Sequence, residues 1–407
     1  MTRDERQKLA IRRWIEHNGK STIVATTGFG KTRCAILLIQ SLYKRNPNLK
    51  VLIAVPTEVL KNQWNKELIE YKLFNNCKVE IFNSIIKNSY NCDLFVIDEI
   101  HLSASPANIH MYECVNSTYI LGLTATWERL DGGHLQLERY VSICDTITLK
   151  DALENEWISP YRNYKVWVDV DLTEYNELNQ KFQSIFAVFG RDFKLVMYLV
   201  NNPSKVKIWA KKHGYNEVQI KGFLAAFMRL MRKRKSFVMS HPKKFEIANK
   251  ILDYRSDKKC IIFSSTVKDA ESFKKRAIVL HSQKKKRENK ESLEKFNKME
   301  IGIISAPKCL ETGVDVKGLS VGIKLTCNSS ETTNVQSIGR VVRKEEGKQA
   351  EMFTLVVKNT IEETWFNNAN RNQDYITIDE KQLNIVLKTG NISTRLKRGQ
   401  VDFENRF

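Results

Sequence analysis

The sequence predicts an α/β protein: two parallel-sheet lobes with a helical, basic insert between them. Three observations carry that expectation. Short apolar runs alternate with amphipathic stretches in the first third, and the same rhythm returns after residue 256. The stretch between is helical in pattern and rich in Lys and Arg. A length of 407 residues suits two to three domains of about 150 residues each. We expect a first lobe over 1–150, a linker and helical insert over 151–255, a second lobe over 256–365 and a basic tail over 366–407.

In the first lobe Ser21–Ala25, Val51–Val55, Leu94–Ile97 and Tyr119–Leu123 read as buried parallel strands, being continuous and rich in β-branched residues. Lys31–Arg45 and Glu58–Lys72 read as the helices between them. In the second lobe the strands are expected at Cys260–Ser264, Ala277–Leu280, Gly302–Ser305, Val321–Leu325 and Met352–Val357, with helices at Lys268–Lys275 and Lys285–Lys298. From Leu172 to Asp253 the pattern is helical, with Pro203 and Pro242 as breaks and Gly190, Gly214 and Gly222 as caps or hinges. Within it, Lys221–Lys235 carries Lys221, Arg229, Arg232, Lys233, Arg234 and Lys235 and no acid. The tail after Trp365 is polar and basic, with no clear fold of its own.

Composition narrows the partners. Lys and Arg number 66 against 46 Asp and Glu, a formal net charge of +20. With 42% hydrophobic residues the chain folds, so that charge sits on a scaffold and points to a polyanion, most often nucleic acid. No apolar run approaches the ~20 residues that span a bilayer, and residues 1–20 lack the apolar core of a secretory signal. The eight Cys include no C-x-x-C pair, which argues against a zinc site, an iron–sulfur site or a disulfide framework. A cytoplasmic protein is expected, in the host cytoplasm if viral, acting as a monomer.

Residues 25–32 read ATTGFGKT, after a strand and before a helix. Glycines there let backbone N–H groups face phosphate oxygens, and the helix N-terminus adds partial positive charge. Lys31 would reach the β and γ phosphates, and the Thr32 hydroxyl would bind Mg²⁺. Downstream, LFVIDEIH (94–101) is an apolar strand ending in Asp98 and Glu99. An Asp at such a strand end holds Mg²⁺ in phosphate-loop enzymes, and a neighbouring Glu can polarise the attacking water. His101 is either a satisfied loop imidazole or a coupler to a partner site.

These motifs resemble the superfamily 2 helicases and translocases. ATTGFGKT resembles motif I, VPTEVLKNQW (55–64) motif Ia, DEIH (98–101) motif II and LTAT (123–126) motif III. IIFSST (261–266) resembles motif IV, CLETGVDVKG (309–318) motif V and QSIGRVVR (336–343) motif VI. The seven occur in the family's order across residues 1–360, which implies that both lobes are RecA-like. DEIHLSASPA, GLTATWERLDG and LHSQKKKRENKESLEKFN are similar to strings of the XPB/RecG/UvsW DNA branch. The short length and Lys/Asn-rich composition resemble phage UvsW-like members.

The resemblance implies roles for individual residues. Gln7 would read adenine, with Arg6 in the place of the usual stacking aromatic. Thr27, Gly28, Gly30, Lys31 and Thr32 would hold ATP, and Thr32 and Asp98 its Mg²⁺. Gln336, Arg340 and Arg343 would act on the γ-phosphate from the second lobe, the arginines as fingers neutralising developing charge. Gly313 and Asp315 would couple nucleotide state to the nucleic-acid track. Pro56, Thr57 and Thr312 would grip the phosphate backbone. Trp127 stands where the family usually has Pro. Arg229, Arg232, Lys233 and Lys235 of the insert would meet phosphates, while Trp209, Phe223 and Phe227 are either a wedge or plain core. The expected activity is an ATP-dependent DNA helicase or translocase that moves on or remodels branched or duplex DNA. An RNA helicase, and an ATP-driven clamp or restriction-type translocase subunit without unwinding, remain alternatives.

Overall fold

A short, wholly apolar run can be buried on both faces, and this chain places such runs inside its sheets. The computed structural model describes residues 1–129, 131–307, 316, 318–342, 344–345, 347–371 and 373–390, the side chains of 331–333 excepted. The first lobe contains β1 (Lys20–Ala25), β2 (Val51–Val55), β3 (Cys77–Ile81), β4 (Tyr90–Asp98), β5 (Val115–Thr124) and β6 (Ser142–Ile147). They form one sheet in the order β3-β2-β4-β5-β1-β6, and every pair is parallel. Helices α1 (Arg3–Glu16), α2 (Lys31–Arg45) and α3 (Glu58–Glu70) accompany it. α1 opens with a reciprocal cap between Thr2 and Glu5, and the Thr57 hydroxyl caps α3 by accepting from Leu60 N.

The second lobe contains β7 (Tyr161–Val168), β8 (Lys259–Ser264), β9 (Ile278–Val279), β10 (Gly302–Pro307), β11 (Val321–Lys324), β12 (Ala350–Val357) and β13 (Ile376–Ile378). They form a parallel sheet in the order β13-β7-β12-β11-β8-β10-β9. The expected boundaries need correcting here. β7 comes from the expected linker, and β13 and the helix Glu380–Thr389 come from the expected tail. Two polar residues of β7, Asn163 and Lys165, are buried, which disguises it as a loop. The Lys165 ammonium lies 3.9 Å from the Trp167 ring centroid and 4.9 Å from that of Phe366, so aromatic faces compensate its burial. In the tail segment, Leu383, Val386 and Leu387 face the second core.

The insert has its own core. Helices Thr173–Val188, Phe193–Asn201, Pro203–Lys212 and Glu217–Met239 pack around Phe182, Phe189, Val196 and Phe227. Pro203 and Pro242 begin helices, where a fixed φ and a missing N–H cost nothing. Gly222 lies inside the helix Glu217–Met239 and is neither cap nor hinge. Trp209 packs on Phe189 and Phe227 on Phe182, with ring centroids 5.3 and 4.6 Å apart, so both are core. Arg234 is buried over the Phe182 ring, whereas Arg229, Arg232, Lys233 and Lys235 are exposed. Helix Pro242–Tyr254 packs into the second lobe through Ile247, Ala248 and Ile251. No helix among the described residues is long and apolar enough to cross a membrane.

One ion pair ties the second lobe together. Lys244 Nζ, wholly buried, donates to Glu362 Oε1 (2.6 Å) and Oε2 (2.7 Å) and to Leu325 O (2.8 Å). Glu362 also accepts from Val357 N at 2.9 Å. Burial pushes the Lys244 ammonium down and the Glu362 carboxyl up, and each is countered by its partner. Removing one partner strands a buried charge, so Lys244→Met should lower the unfolding free energy by about 3–5 kcal/mol. Urea denaturation checks this, and a loss below about 1 kcal/mol would contradict it.

Candidate nucleotide cleft between the lobes

The loop between β1 and α2 turns through glycines that bring its backbone close to neighbouring groups. Gly30, the residue before α2, has φ +98°, and a Cβ there would lie 2.6 Å from Gln7 Nε2. Among the described residues no side chain caps α2, so its first N–H groups are open to an anion. Lys31 sits at this end, its Nζ donating to Ala25 O at 3.1 Å. Gln7 is buried and donates from Nε2 to Phe29 O at 2.8 Å, which fixes α1 against the loop.

The second lobe closes over this loop. Thr27 Oγ1 donates to Val335 O at 3.0 Å, and a Cβ on Gly339 would fall 1.5 Å from Thr27 Oγ1. The glycine of QSIGRVVR is therefore the residue that lets helix Glu331–Val341 approach the phosphate loop. Between the lobes lies a cleft of about 700 Å³. Ten of the expected residues line it together: Gln7, Thr27, Gly28, Gly30, Lys31, Thr32, Asp98, Glu99, Gln336 and Arg340.

The carboxylates sit where β4 ends. Asp98 Oδ2 accepts from Trp64 Nε1 at 2.8 Å, and Oδ1 accepts from Glu99 N at 3.1 Å. Burial, then the neighbouring Glu99 charge, pushes the Asp98 carboxyl up. Glu99, in a left-handed backbone conformation at φ +51°, is also pushed up by burial. Lys31 and Arg340 oppose that shift, as does a hydrogen bond from Gln336 across the cleft. Among the described residues, Glu99 Oε2 is buried without a hydrogen-bond partner, with His101 Nδ1 3.5 Å away. Oxygen donors from Thr32 and Asp98, with an unsatisfied carboxylate oxygen beside them, fit Mg²⁺, which takes few protein ligands alongside phosphates.

His101 joins two motifs. Thr124 Oγ1 donates to Thr126 O at 2.7 Å, so the His101 Nδ1 contact at 2.9 Å is an N–H donated to that hydroxyl. Burial, then Arg129 and Lys31, pushes the imidazole down to about 3, so it is neutral at physiological pH. Trp127 is buried in the core beneath this loop.

Other expected residues lie elsewhere. Arg6 does not face the cleft: its guanidinium binds Asp145 through both Nη1 and Nη2, the second at 2.8 Å. Arg6, in the place of the usual stacking aromatic, is thus engaged by a buried carboxylate on β6. Pro56 and Thr57 precede α3, with the Thr57 hydroxyl used as its cap. Arg229, Arg232, Lys233 and Lys235 belong to the insert. Thr312, Gly313, Asp315 and Arg343 lie outside the described residues. Sequence reasoning missed Trp64, which reads as one more apolar residue on an amphipathic helix. It also missed Tyr71 in the cleft wall, beneath the Arg33 guanidinium at 4.6 Å.

Known proteins resemble this chain on both lobes. Residues 243–345 match the helicase conserved C-terminal domain, and residues 1–93 match the type III restriction enzyme, res subunit family. The chain is 26% identical over 378 residues to a DNA 3'-5' translocase, XPB2, of Sulfurisphaera tokodaii, covering 87% of this chain and 81% of that one. It is 20% identical to the DEAD-box ATP-dependent RNA helicase RhpA of Helicobacter pylori over 339 residues, 82% of this chain and 61% of that one. Among solved structures, S. cerevisiae Dbp5 bound to RNA and ADP BeF3 superposes with a TM-score of 0.59 at 13% identity, over 94% of this chain and 91% of that one. That likeness bears on the fold alone. With a helicase-type family matched on each lobe and the two lobes meeting at one nucleotide-sized cleft, these findings support an ATP-hydrolysing superfamily 2 helicase.

Proposed function

We propose that the chain uses ATP hydrolysis in this cleft to move on DNA and to remodel branched or duplex DNA. The observation that carries the reading is the cleft itself: Lys31, Asp98 and Glu99 come from one lobe, Gln336 and Arg340 from the other. ATP bound there bridges the lobes, and its hydrolysis removes the bridge. Interactions that differ between the two nucleotide states shift the closed–open equilibrium. Thr32 and Asp98 would hold Mg²⁺, which neutralises phosphate charge when bound. Glu99 would orient the attacking water and Arg340 would act on the γ-phosphate, the role that the motif resemblance also implies for Arg343. Pro56, Thr57 and Thr312 grip the phosphate backbone alternately, so stepping follows backbone rather than base sequence.

DNA rather than RNA is our choice because the DEIH and LTAT strings resemble the XPB/RecG/UvsW branch, and because the archaeal relative is a DNA translocase. The match to an RNA helicase keeps RNA as the second reading. The insert supplies a sequence-independent grip. Residues 173–239 hold thirteen Lys and Arg against four Asp and Glu, and Arg232, Lys233 and Lys235 project from a helix whose other face is core.

Forked DNA and RNA of equal sequence, titrated across a salt series and followed by strand separation, test the proposal. We expect tighter binding and faster separation on DNA. In the Arg232→Ala, Lys233→Ala, Lys235→Ala variant, each cation that no longer neutralises a phosphate should flatten the log–log salt slope for DNA by about 0.9. An unchanged slope would make the basic face a solvated surface only, and preferential separation of RNA would overturn the choice of substrate.

A further inference from the structure

Trp64 contributes a donor that the motifs do not explain. Its ring is 1% exposed, yet an indole N–H must find an acceptor when buried. That acceptor is Asp98 Oδ2, at 2.8 Å. The other carboxylate oxygen accepts from Glu99 N, so both ends of the Asp98 carboxylate are held in the structure. The backbone beneath is rigid: β4 pairs with β2 on one side and β5 on the other. What the sheet leaves free is rotation about the Asp98 side chain, and the indole removes it. Trp64 stands two turns into α3, whose first turn follows Pro56 and Thr57. The same helix therefore touches the metal-site carboxylate and begins at the expected backbone grip.

We propose that Trp64 is a positioning residue for the magnesium-binding carboxylate of Asp98, holding its plane through Nε1–H···Oδ2. The proposal rests on the reading of Asp98 as a Mg²⁺ ligand. Groups that orient a metal ligand typically contribute 10–100-fold to metal affinity. A tryptophan serving the core alone would contribute to stability and leave the metal response untouched.

The test is equilibrium binding of a fluorescent ATP analogue to the full chain, in EDTA and across a Mg²⁺ series. Trp64→Phe keeps an aromatic ring and removes the donor. We expect its Mg²⁺ half-saturation to rise about tenfold, with metal-free binding as in wild type. Asp98→Asn should raise the half-saturation further, and adding Trp64→Phe to it should change nothing more, because the indole acts through that carboxylate. A wild-type Mg²⁺ response in Trp64→Phe beside an impaired Asp98→Asn would overturn the positioning role. An unimpaired Asp98→Asn would overturn the metal assignment beneath it. If Trp64→Phe does not fold, the indole ¹⁵N–H spectrum of the wild-type chain decides. The resonance that shifts in Asp98→Asn should move again on adding Mg·ADP, and no movement would overturn the proposal.

Discussion

Arg340→Ala should lower kcat by about 10³-fold or more while weakening ATP binding far less. The side chain is 9% exposed, lines the cleft from the second lobe and is close enough to Glu99 to oppose its protonation. Gly339, beside it, lets its helix approach Thr27, so Arg340 shares the cleft with the loop of Lys31. Charge on the transferring phosphoryl group spreads over its oxygens mainly in the transition state, and a cation placed for that charge acts on kcat rather than on ground-state binding. Single-turnover hydrolysis beside equilibrium nucleotide binding separates the two. A variant with wild-type kcat and only a raised KM would show that Arg340 binds substrate and transition state alike.

Lys31→Ala should abolish turnover, a loss of about 10²-fold or more, while the chain still binds nucleic acid without nucleotide. Lys31 Nζ has an acceptor in Ala25 O, a backbone carbonyl of its own loop, which a phosphate oxygen would readily replace. Its charge also opposes the upward push on both Asp98 and Glu99. Removing it therefore withdraws a phosphate ligand and leaves two buried carboxylates with less compensation. The exposed cations of the insert lie on a different element and are untouched. ATPase and filter binding on the same preparation check both halves of the expectation. Retained hydrolysis would remove ATTGFGKT from the mechanism.

The parts of this protein that were legible in the sequence are those where burial and chemistry agree. α2 appears at its expected bounds because Gly30 stops the turn and apolar residues then recur at helical spacing. β2 does so because five apolar residues stand between Lys50 and Pro56. Ten of the expected residues, scattered from Gln7 to Arg340, line one cleft, and they stand out in the sequence because glycine, lysine and strand-end carboxylates are the types that phosphate recognition uses. Illegible features depend on partners distant in sequence. β7 hides because the burial of Lys165 is compensated by the ring of Phe366, far along the chain, as well as by its neighbour Trp167. Arg6 shows no partner in the sequence, and Asp145, 139 residues later, takes it. Trp64 and Asp98 are each ordinary alone, and only the fold makes them a pair.

The central claim is that ATP hydrolysis between the lobes is harnessed to nucleic acid. The most direct measurement is the steady-state ATPase rate of the full chain with and without forked DNA, from low to high salt. We predict a rate that rises when DNA is added and falls back as salt displaces it, since grip on the phosphate backbone is electrostatic. The same rate with and without nucleic acid, at every salt concentration, would contradict the account.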